Sequence, residues 1–417
     1  MLYQLFQWLE QEYKLPGAGL WQFTTFRAGM GMLISLIISM LFGGRIIQFL
    51  RNLQIGENIR DLGLEGQMSK KGTPTMGGVI IIMGIVVPVL LVADLQNIYV
   101  LIMLLVTTWM AIIGFLDDYI KVFKKNKEGL SAKSKLIGQV GCGLLVAVMM
   151  IKSDEINVRL ETEPADELGY EQVSAPYDVR DAKGDTIEMA HYKAYITNVP
   201  FFKENQLDYE KWLPKPWQSD NNVWLIFVPL VILIITAVSN AANLTDGLDG
   251  LATGVSSVVA SSLGVFAFVS GNVMLASYLN VFYLPGTGEL VVFAACMLGA
   301  CTGFLWYNSY PAQVFMGDTG SLTLGGIIAT MALLLRKELI IPIMCGIFLA
   351  ENLSVMIQVA YFKYTKRKYG EGRRVFLMSP LHHHYQKKGI PEAKIVIRFW
   401  IVSILLAVMT ILTLKVR

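Results

Sequence analysis

Two adjacent carboxylates, Asp117 and Asp118, end an apolar segment in the string GFLDDY. Polar groups inside or beside a membrane-spanning segment are costly, which makes them functional candidates. Neighbouring carboxylates repel each other and persist best with a cation between them, and oxygen ligands suit Mg²⁺. The pair therefore predicts a metal-dependent site at the end of this segment. The alternative is that it only marks the polar end of a helix.

A second string, NAANLTDGLDG, carries polar residues at every third position: Asn240, Asn243, Asp246 and Asp249. On a helical turn these side chains would share one face. The string contains glycines, which allow close approach of the backbone to a ligand. Amide and carboxylate groups of this kind suit a nucleoside base, a ribose or a metal. A helix cap followed by a turn is the alternative.

A third string, NSYPAQVFMGDTGS, begins at Asn308 and contains Phe315 and Asp318. Asp318 is a candidate metal ligand, and Phe315 is a candidate for stacking on a base. Thr319 or Ser321 could instead cap the next helix, since hydroxyl side chains are common at that position. Capping and catalysis are compatible, so this alternative does not exclude a functional role.

Two further strings carry groups that recognise anions. In KKGTPTMGG, Lys70 and Thr75 precede a helix, where lysines and backbone amides form an anion site. A positively charged membrane anchor is the alternative. In SPLHHHYQ, a loop could aim two of His382, His383 and His384 at one ligand, to bond phosphate oxygens or relay protons. A zinc site is the alternative.

The elements that must position these strings are apolar helices. The chain is 54% hydrophobic and 16% charged, whereas soluble domains are about 25% charged. Roughly 20 apolar residues suffice to cross a bilayer. We predict an all-α polytopic membrane protein with about ten spans, at residues 24–43, 76–93, 98–116, 135–151, 223–239, 251–270, 289–306, 321–335, 339–361 and 395–414.

Basic residues predict the orientation of these spans. They concentrate in one set of loops, including residues 121–135 and 363–394. Cytoplasmic loops carry an excess of Lys and Arg, so this set faces the cytoplasm and both termini lie outside. Residues 152–222 form a polar stretch rich in Asp and Glu, which we expect to be a partly ordered outer insertion with a few strands. A disordered linker is the alternative.

The strings KKGTPTMGG, GFLDDY, NLTDGLDGL, FMGDTGSL and SPLHHHYQ resemble, in order and spacing, the bacterial phospho-N-acetylmuramoyl-pentapeptide-transferase family. This family belongs to the polyprenyl-phosphate N-acetylhexosamine-1-phosphate transferases. The resemblance implies transfer of phospho-N-acetylmuramoyl-pentapeptide from UDP-N-acetylmuramoyl-pentapeptide to undecaprenyl phosphate, with release of UMP, in peptidoglycan synthesis. It further implies dependence on Mg²⁺, a location in the bacterial inner membrane and a homodimer. We expect no nucleic-acid partner. The 152–222 stretch is longer than the family's outer loop.

The resemblance also implies roles for individual residues. Asp318 would be the metal ligand, and Asp117 and Asp118 would help hold the metal or would orient or deprotonate the lipid phosphate. His382 is expected to act in catalysis. The residues expected to bind substrate are Lys70, Thr75, Lys121, Lys125, Lys133, Asn243, Asp246, Asp249, Asn308, Phe315, His383 and His384.

Two polar residues of the ninth predicted span fall outside these strings. Glu351 lies in mid-span and must face the bundle interior. Gln358 lies nearer the predicted cytoplasmic end, where it could reach substrate. A transporter would place its polar groups near the bilayer midplane, where we expect only Glu351. The enzyme alternative is a UDP-GlcNAc:polyprenyl-phosphate GlcNAc-1-phosphate transferase. The sequence leaves direct attack and a covalent aspartyl intermediate both open.

Overall fold

The computed structural model describes residues 1–53, 70, 72–124, 126, 128–180, 186–200, 206–214, 217–218 and 222–415. Long apolar segments fold as helices because a helix satisfies its own backbone hydrogen bonds in lipid. The helices are α1 (Leu2–Tyr13), α2 (Thr24–Asn52), α3 (Gly78–Val92), α4 (Ile98–Phe123), α5 (Ala132–Lys152), α6 (Thr162–Glu167), α7 (Trp224–Thr245), α8 (Leu251–Ser270), α9 (Val273–Leu279), α10 (Gly288–Asn308), α11 (Gly317–Leu334), α12 (Ile341–Met344), α13 (Gly346–Tyr369), α14 (Leu381–Lys387) and α15 (Glu392–Leu412).

Eight helices in the described ranges are long and apolar enough to cross a bilayer: α2, α4, α5, α7, α8, α10, α11 and α15. A segment made of the 3₁₀ turn Glu338–Ile340, α12 and α13 passes the same test but is bent by 79°. Helix α3 has only 15 residues. The predicted class, a helical polytopic membrane protein, is confirmed, and each of the ten predicted spans falls on helical structure. The number of crossings stays a prediction.

Helix α11 lies at the centre of the bundle, packed against α3, α4, α7 and α8. Nearly all of its side chains are buried. Its neighbours approach closely through small residues, as is common between membrane helices. A Cβ built on Gly78 would lie 2.2 Å from the backbone nitrogen of Gly320, and one built on Gly325 would lie 2.5 Å from the Cα of Ser239. The first turn of α11 is therefore held by backbone contacts.

Strands are present in the stretch between α5 and α7. They are β1 (Val158–Glu161), β2 (Glu171–Gln172), β3 (Tyr177–Arg180), β4 (Thr186–Lys193), β5 (Ile196–Asn198) and β6 (Gln206–Asp208). Strand β4 pairs antiparallel with β1 along one edge and with β2 and β3 along the other, while β5 pairs with β6. The 21 residues of α5 span about 30 Å between the GFLDDY end of the bundle and this module.

Candidate active site

Three carboxylates, Asp117 and Asp118 on α4 and Asp318 on α11, come together where the two helices meet. One oxygen of each lies within 4.8 Å of the others. Asp117 and Asp118 are buried and Asp318 is nearly so. A Cβ built on Gly114 would lie 2.3 Å from the carbonyl oxygen of Asp318. A glycine one turn before the pair thus lets α4 approach α11 closely enough to group the carboxylates.

Two lysines bridge Asp117 and Asp318. The Nζ of Lys121 lies 2.6 Å from Oδ2 of Asp117 and 3.2 Å from Oδ1 of Asp318. The Nζ of Lys135 lies 3.0 Å from Oδ1 of Asp117 and 2.5 Å from Oδ2 of Asp318. Charges interact more strongly away from bulk water, so these four groups fix one another. The arrangement presents both signs of charge, as a phosphate ester and its counter-cation require.

The loop before α5 closes over Asp117. Leu130 donates its backbone N–H to Oδ1 of Asp117 at 2.7 Å. A Cβ built on Gly129 would lie 2.4 Å from the same oxygen, and the residue has a positive φ of 66°. Glycine adopts that conformation readily and brings no side chain into the contact. The loop thereby limits access to Asp117 from its own side.

Asp118 accepts hydrogen bonds from the first turn of α11. Its Oδ1 accepts the backbone N–H of Asp318 at 3.1 Å. Its Oδ2 accepts the backbone N–H of Thr319 at 2.9 Å and the hydroxyl of Thr319 at 2.6 Å. Free N–H groups at a helix start attract negative charge. The N-terminal cap of α11 thus comes from Asp118 of α4. The hydroxyl of Ser321, a capping candidate in the sequence, donates to the carbonyl of Gly317.

The second string divides between two places. Asn243 donates its amide to Oδ1 of Asp318 and to Oγ of Ser321, both at 2.9 Å. Asp249, beyond the end of α7, accepts a hydrogen bond from Lys70. Asp246 lies between them and is partly exposed. Asn243 thus borders the carboxylates, and Asp249 borders Lys70 of the KKGTPTMGG string.

Lys70 lies between two carboxylates beside an aromatic ring. Its Nζ donates to Oδ1 of Asp249 and to Oε1 of Glu392, both at 2.6 Å. The ring centroid of Phe315 is 5.9 Å away. Burial opposes the charge of Lys70, but Glu392 and then Asp249 outweigh it and raise its pKa. These charges sum to minus one, which favours a neutral polar guest over a phosphate.

Asn308 joins the two loops that border Lys70. Its Oδ1 accepts hydrogen bonds from the backbone N–H of Gly250 at 3.1 Å and the hydroxyl of Thr253 at 3.0 Å. Its Nδ2 donates to the carbonyl of Val314 at 2.9 Å. Because the side chain is buried and makes these internal contacts, it holds the Asp249 and Phe315 loops in register.

His382 is buried against Glu351. Its backbone N–H donates to Oε1 of Glu351 at 3.1 Å, and its Nδ1 lies 3.1 Å from Oε2. On the other side of the ring, a Cβ built on Gly247 would lie 2.2 Å from Nε2. Glu351, expected to face the bundle interior, therefore anchors the histidine string, and Gly247 leaves space for the imidazole.

His383 and His384 have other partners. The Nδ1 of His383 lies 2.7 Å from Oε1 of Gln386, while the Nδ1 of His384 accepts the backbone N–H of Leu377 at 3.1 Å. Burial, with a smaller effect of His382, lowers the pKa of His383 to about 4. In the described part of the chain, the group of three or more potential metal ligands that lie close together is the Asp117, Asp118 and Asp318 set. The histidines of this string are not part of that set.

The low pKa of His383 predicts a loss of stability in acid. Since its folded-state pKa of about 4 lies below the ordinary 6.5, the unfolded chain takes up the proton first as the pH falls. The stability contributed by neutral His383 is present above pH 6.5 and is lost between 6.5 and about 4. We expect the melting temperature of His383→Gln to fall less than that of the parent between pH 6.5 and about 4. Thermal unfolding in detergent at each pH measures this. Parallel curves would show that His383 does not titrate this way.

Two other predicted residues lie around this centre. Gln358 accepts the backbone N–H groups of Val375 and Phe376, each at 3.0 Å, and so fixes the loop before the histidines. Thr75 is buried, with its hydroxyl 3.1 Å from a Cβ built on Gly317. Lys125 lies outside the described residues.

The comparisons with known proteins cover the whole chain. A model of glycosyl transferase family 4 matches residues 100–336, and phospho-N-acetylmuramoyl-pentapeptide-transferase signature 1 matches residues 70–82. Curated proteins called phospho-N-acetylmuramoyl-pentapeptide-transferase are 55% identical in Flavobacterium psychrophilum, 54% in Parabacteroides distasonis and 49% in Porphyromonas gingivalis strain ATCC 33277. Each alignment covers 100% of both chains. The chain belongs to the phospho-N-acetylmuramoyl-pentapeptide-transferase family. The resemblance read from the five strings is confirmed.

The matched regions of this family contain the centre described above. The signature runs from Lys70 into α3. The glycosyl transferase match spans α4 to the residues just beyond α11, and so includes the three carboxylates. The histidine string and Glu351 fall outside that match but inside the full-length alignments with the transferases.

Sequence reasoning missed two charged residues, Lys135 beside the carboxylates and Glu392 beside Lys70. Lys133, which the resemblance selected, has an exposed side chain, and its role in substrate binding stays a prediction. A sequence signal for Lys135 was available, because Ser131 is of a type common at helix N-caps and Lys135 precedes Gln139, a polar residue in an apolar segment, by four residues. This spacing places Lys135 and Gln139 on one helix face. Glu392 had no such signal, since its contact with Lys70 joins distant parts of the chain.

Two lysines of α5, Lys135 and Lys152, provide a matched test. Lys135→Met removes an ammonium group that contacts Asp117 and Asp318, so we expect turnover to fall by roughly 10²-fold or more. Lys152→Met changes an exposed side chain at the opposite end of the same helix and should leave turnover near the parent value. Initial rates at saturating substrate measure both. Equal losses in the two variants would contradict the assignment of Lys135.

Proposed function

We propose that this chain transfers phospho-N-acetylmuramoyl-pentapeptide from UDP-N-acetylmuramoyl-pentapeptide to undecaprenyl phosphate, giving lipid I and UMP in peptidoglycan synthesis. The observation that carries the proposal is the end-to-end similarity to transferases of that name, in a chain whose charged centre lies beside a pocket suited to a nucleoside. A phosphate oxygen of the lipid attacks the β-phosphorus of the donor. The new P–O bond forms as the bond to the bridging oxygen breaks, and that oxygen leaves with UMP.

The carboxylates fit a hard divalent cation such as Mg²⁺. One oxygen of each lies within 4.8 Å of the others, and carboxylate oxygens are the ligands that Mg²⁺ prefers. Asp318 and Asp117 would hold the ion. A bound Mg²⁺ would supply charge neutralisation for the diphosphate.

The lysines of the centre stabilise charge on the reacting phosphates. Lys121 and Lys135 are held by Asp117 and Asp318, so their ammonium groups are oriented before substrate binds. Phosphoryl transfer depends mainly on such positioning and electrostatic stabilisation. In a phosphate monoester the second ionisation has a pKa near 6, so the attacking group is largely dianionic at pH 7 and needs little help from a base. This supports direct attack over a covalent aspartyl intermediate.

The uridine end of the donor fits the pocket around Lys70. Its net negative charge opposes a phosphate, whereas Lys70, Asp249 and the ring of Phe315 together suit the polar edge and the face of a base. The diphosphate then extends toward Lys121 and Lys135. Neutral His383, with its neighbour His384, would contact the sugar-phosphate region.

The topology follows from the placement of charge. We propose ten crossings of the bacterial inner membrane, with both termini in the periplasm and the carboxylate centre at the cytoplasmic face. The centre and the strand-containing module lie at opposite ends of α5, which supports a periplasmic position for residues 152–222. The basic loops lie at the same end of the helix bundle as the carboxylate centre, in agreement with the positive-inside rule. A homodimer is proposed on the resemblance alone.

Purified protein with both substrates and Mg²⁺ tests the activity, with release of UMP as the measurement. We expect UMP only when UDP-N-acetylmuramoyl-pentapeptide, undecaprenyl phosphate and the metal are all present, and none after EDTA. Turnover with UDP-GlcNAc but not with the muramoyl donor would assign the chain to the GlcNAc-1-phosphate transferases instead. No turnover with either donor, in a preparation shown to be folded, would refute the proposal.

A further inference from the structure

The two adjacent carboxylates of α4 face different partners. Asp117 contacts the ammonium groups of Lys121 and Lys135. Asp118 accepts three hydrogen bonds from Asp318 and Thr319, at 3.1, 2.9 and 2.6 Å, and is only 2% exposed. Both oxygens of Asp118 are therefore committed to the first turn of α11, while Asp117 faces the charged centre.

The surroundings of Asp118 leave little space for a ligand on that side. Gly317 has a positive φ of 73°, and a Cβ built there would lie 2.6 Å from Oδ2 of Asp118 and 3.1 Å from the hydroxyl of Thr75. Only a glycine, which adopts this conformation at low cost and has no side chain, lets the chain enter α11 against the carboxylate. The turn and the carboxylate are thus packed as one unit.

The backbone of the same turn is held from a second direction. Phe315 and Met316 accept hydrogen bonds at their carbonyl oxygens from the backbone N–H groups of Gly77 and Gly78, both at 2.8 Å. Residues 77–78 approach from one side, and Asp118 caps the turn from the other. Of these contacts, the cap acts directly on the backbone of Asp318, whose side chain meets Lys121, Lys135 and Asn243.

We propose that Asp118 is a positioning residue that fixes the carboxylate of Asp318 through the first turn of α11, and that it neither ligates the metal nor deprotonates the acceptor. This inference rests on the proposed function for its kinetic readout. It predicts that Thr319, which supplies two of the three hydrogen bonds, shares the role of Asp118. Hydrogen bonds to a charged group are stronger than neutral ones, so the loss of either partner loosens the turn.

A double-mutant cycle tests the inference. It comprises Asp118→Asn, Thr319→Val and the double variant, with Thr319→Ser as the conservative control that keeps the hydroxyl. The measurements are kcat and KM from UMP release, and Mn²⁺ binding followed by electron paramagnetic resonance without substrate. We expect Asp118→Asn to weaken Mn²⁺ binding and kcat by roughly 10- to 100-fold, as for groups that orient a metal ligand. Thr319→Val, which removes only the hydroxyl bond, should weaken both in the same direction by a smaller factor. The double variant should be little worse than Asp118→Asn alone, because the effects of interacting residues are not additive.

Opposite results would overturn the inference. If Asp118 were a ligand, Asp118→Asn would lose Mn²⁺ binding while Thr319→Val kept it, and the two effects would add. If Asp118 were a base, only Asp118→Asn would alter the pH profile of kcat. Thr319→Ser should retain the parent values. If Asp118→Asn fails to fold, Thr319→Val decides: weakened Mn²⁺ binding supports the inference and unchanged binding refutes it. The Mn²⁺ measurement does not need turnover, so failure of the proposed function would be seen separately.

Discussion

Asp318→Asn is expected to reduce UMP release by about 10³-fold or more, with little change in folding. The loss of one preorganised charged group commonly costs roughly 10²–10³ in kcat. Here the carboxylate also orients Lys121 and Lys135 and accepts a hydrogen bond from Asn243. Asparagine preserves the shape of the side chain, so the packing of α11 should survive. The measurement is kcat at saturating substrate and metal, beside the melting temperature in detergent.

A matched control is Asp154→Asn, beyond the other end of α5. The side chain of Asp154 is 73% exposed and is paired with Lys193. The same chemical change there should alter neither kcat nor Mn²⁺ binding. If Asp318→Asn retained more than about a tenth of the parent kcat, the carboxylate would not be the central electrostatic group that its contacts indicate.

Much of the fold could be predicted because hydropathy alone identifies segments long enough to cross a bilayer. The polar extensions could not. Helix α2 continues to Asn52 and α13 to Tyr369, well beyond the apolar runs that marked their spans. The bend of 79° between α12 and α13 also has no counterpart in a hydropathy pattern. These features depend on packing between helices rather than on local composition.

The candidate site was predicted by residue type but not by pairing. The strings identified Asp117, Asp318 and Asn243, and the structure brings these three together. The cap of α11 by Asp118 joins residues about 200 positions apart, and no local pattern reports such a contact. Asn308 was expected to bind substrate because it is a polar residue of the third string. In the structure its side chain joins two loops through hydrogen bonds to their backbones.

Gly114→Ala is expected to destabilise the protein and to lower kcat, although alanine is the better helix former by about 1 kcal/mol. A Cβ at this position would lie 2.3 Å from the carbonyl oxygen of Asp318 and 2.6 Å from the Cα of Thr319. Both are backbone atoms, so α4 and α11 must separate. Overpacking of this kind costs about 1–3 kcal/mol, which outweighs the gain in helix propensity and moves Asp117 away from Asp318.

The control for this prediction is Gly29→Ala on α2, where a built Cβ meets nothing within 4 Å. There the propensity gain acts alone, so we expect an unchanged or slightly higher melting temperature and a parental kcat. The comparison separates the intrinsic effect of alanine from the contact with α11. If both variants behaved alike, the close approach of α4 to Asp318 would not be what groups the carboxylates. A lower kcat in Gly114→Ala at a temperature where the variant is fully folded would tie that approach to catalysis.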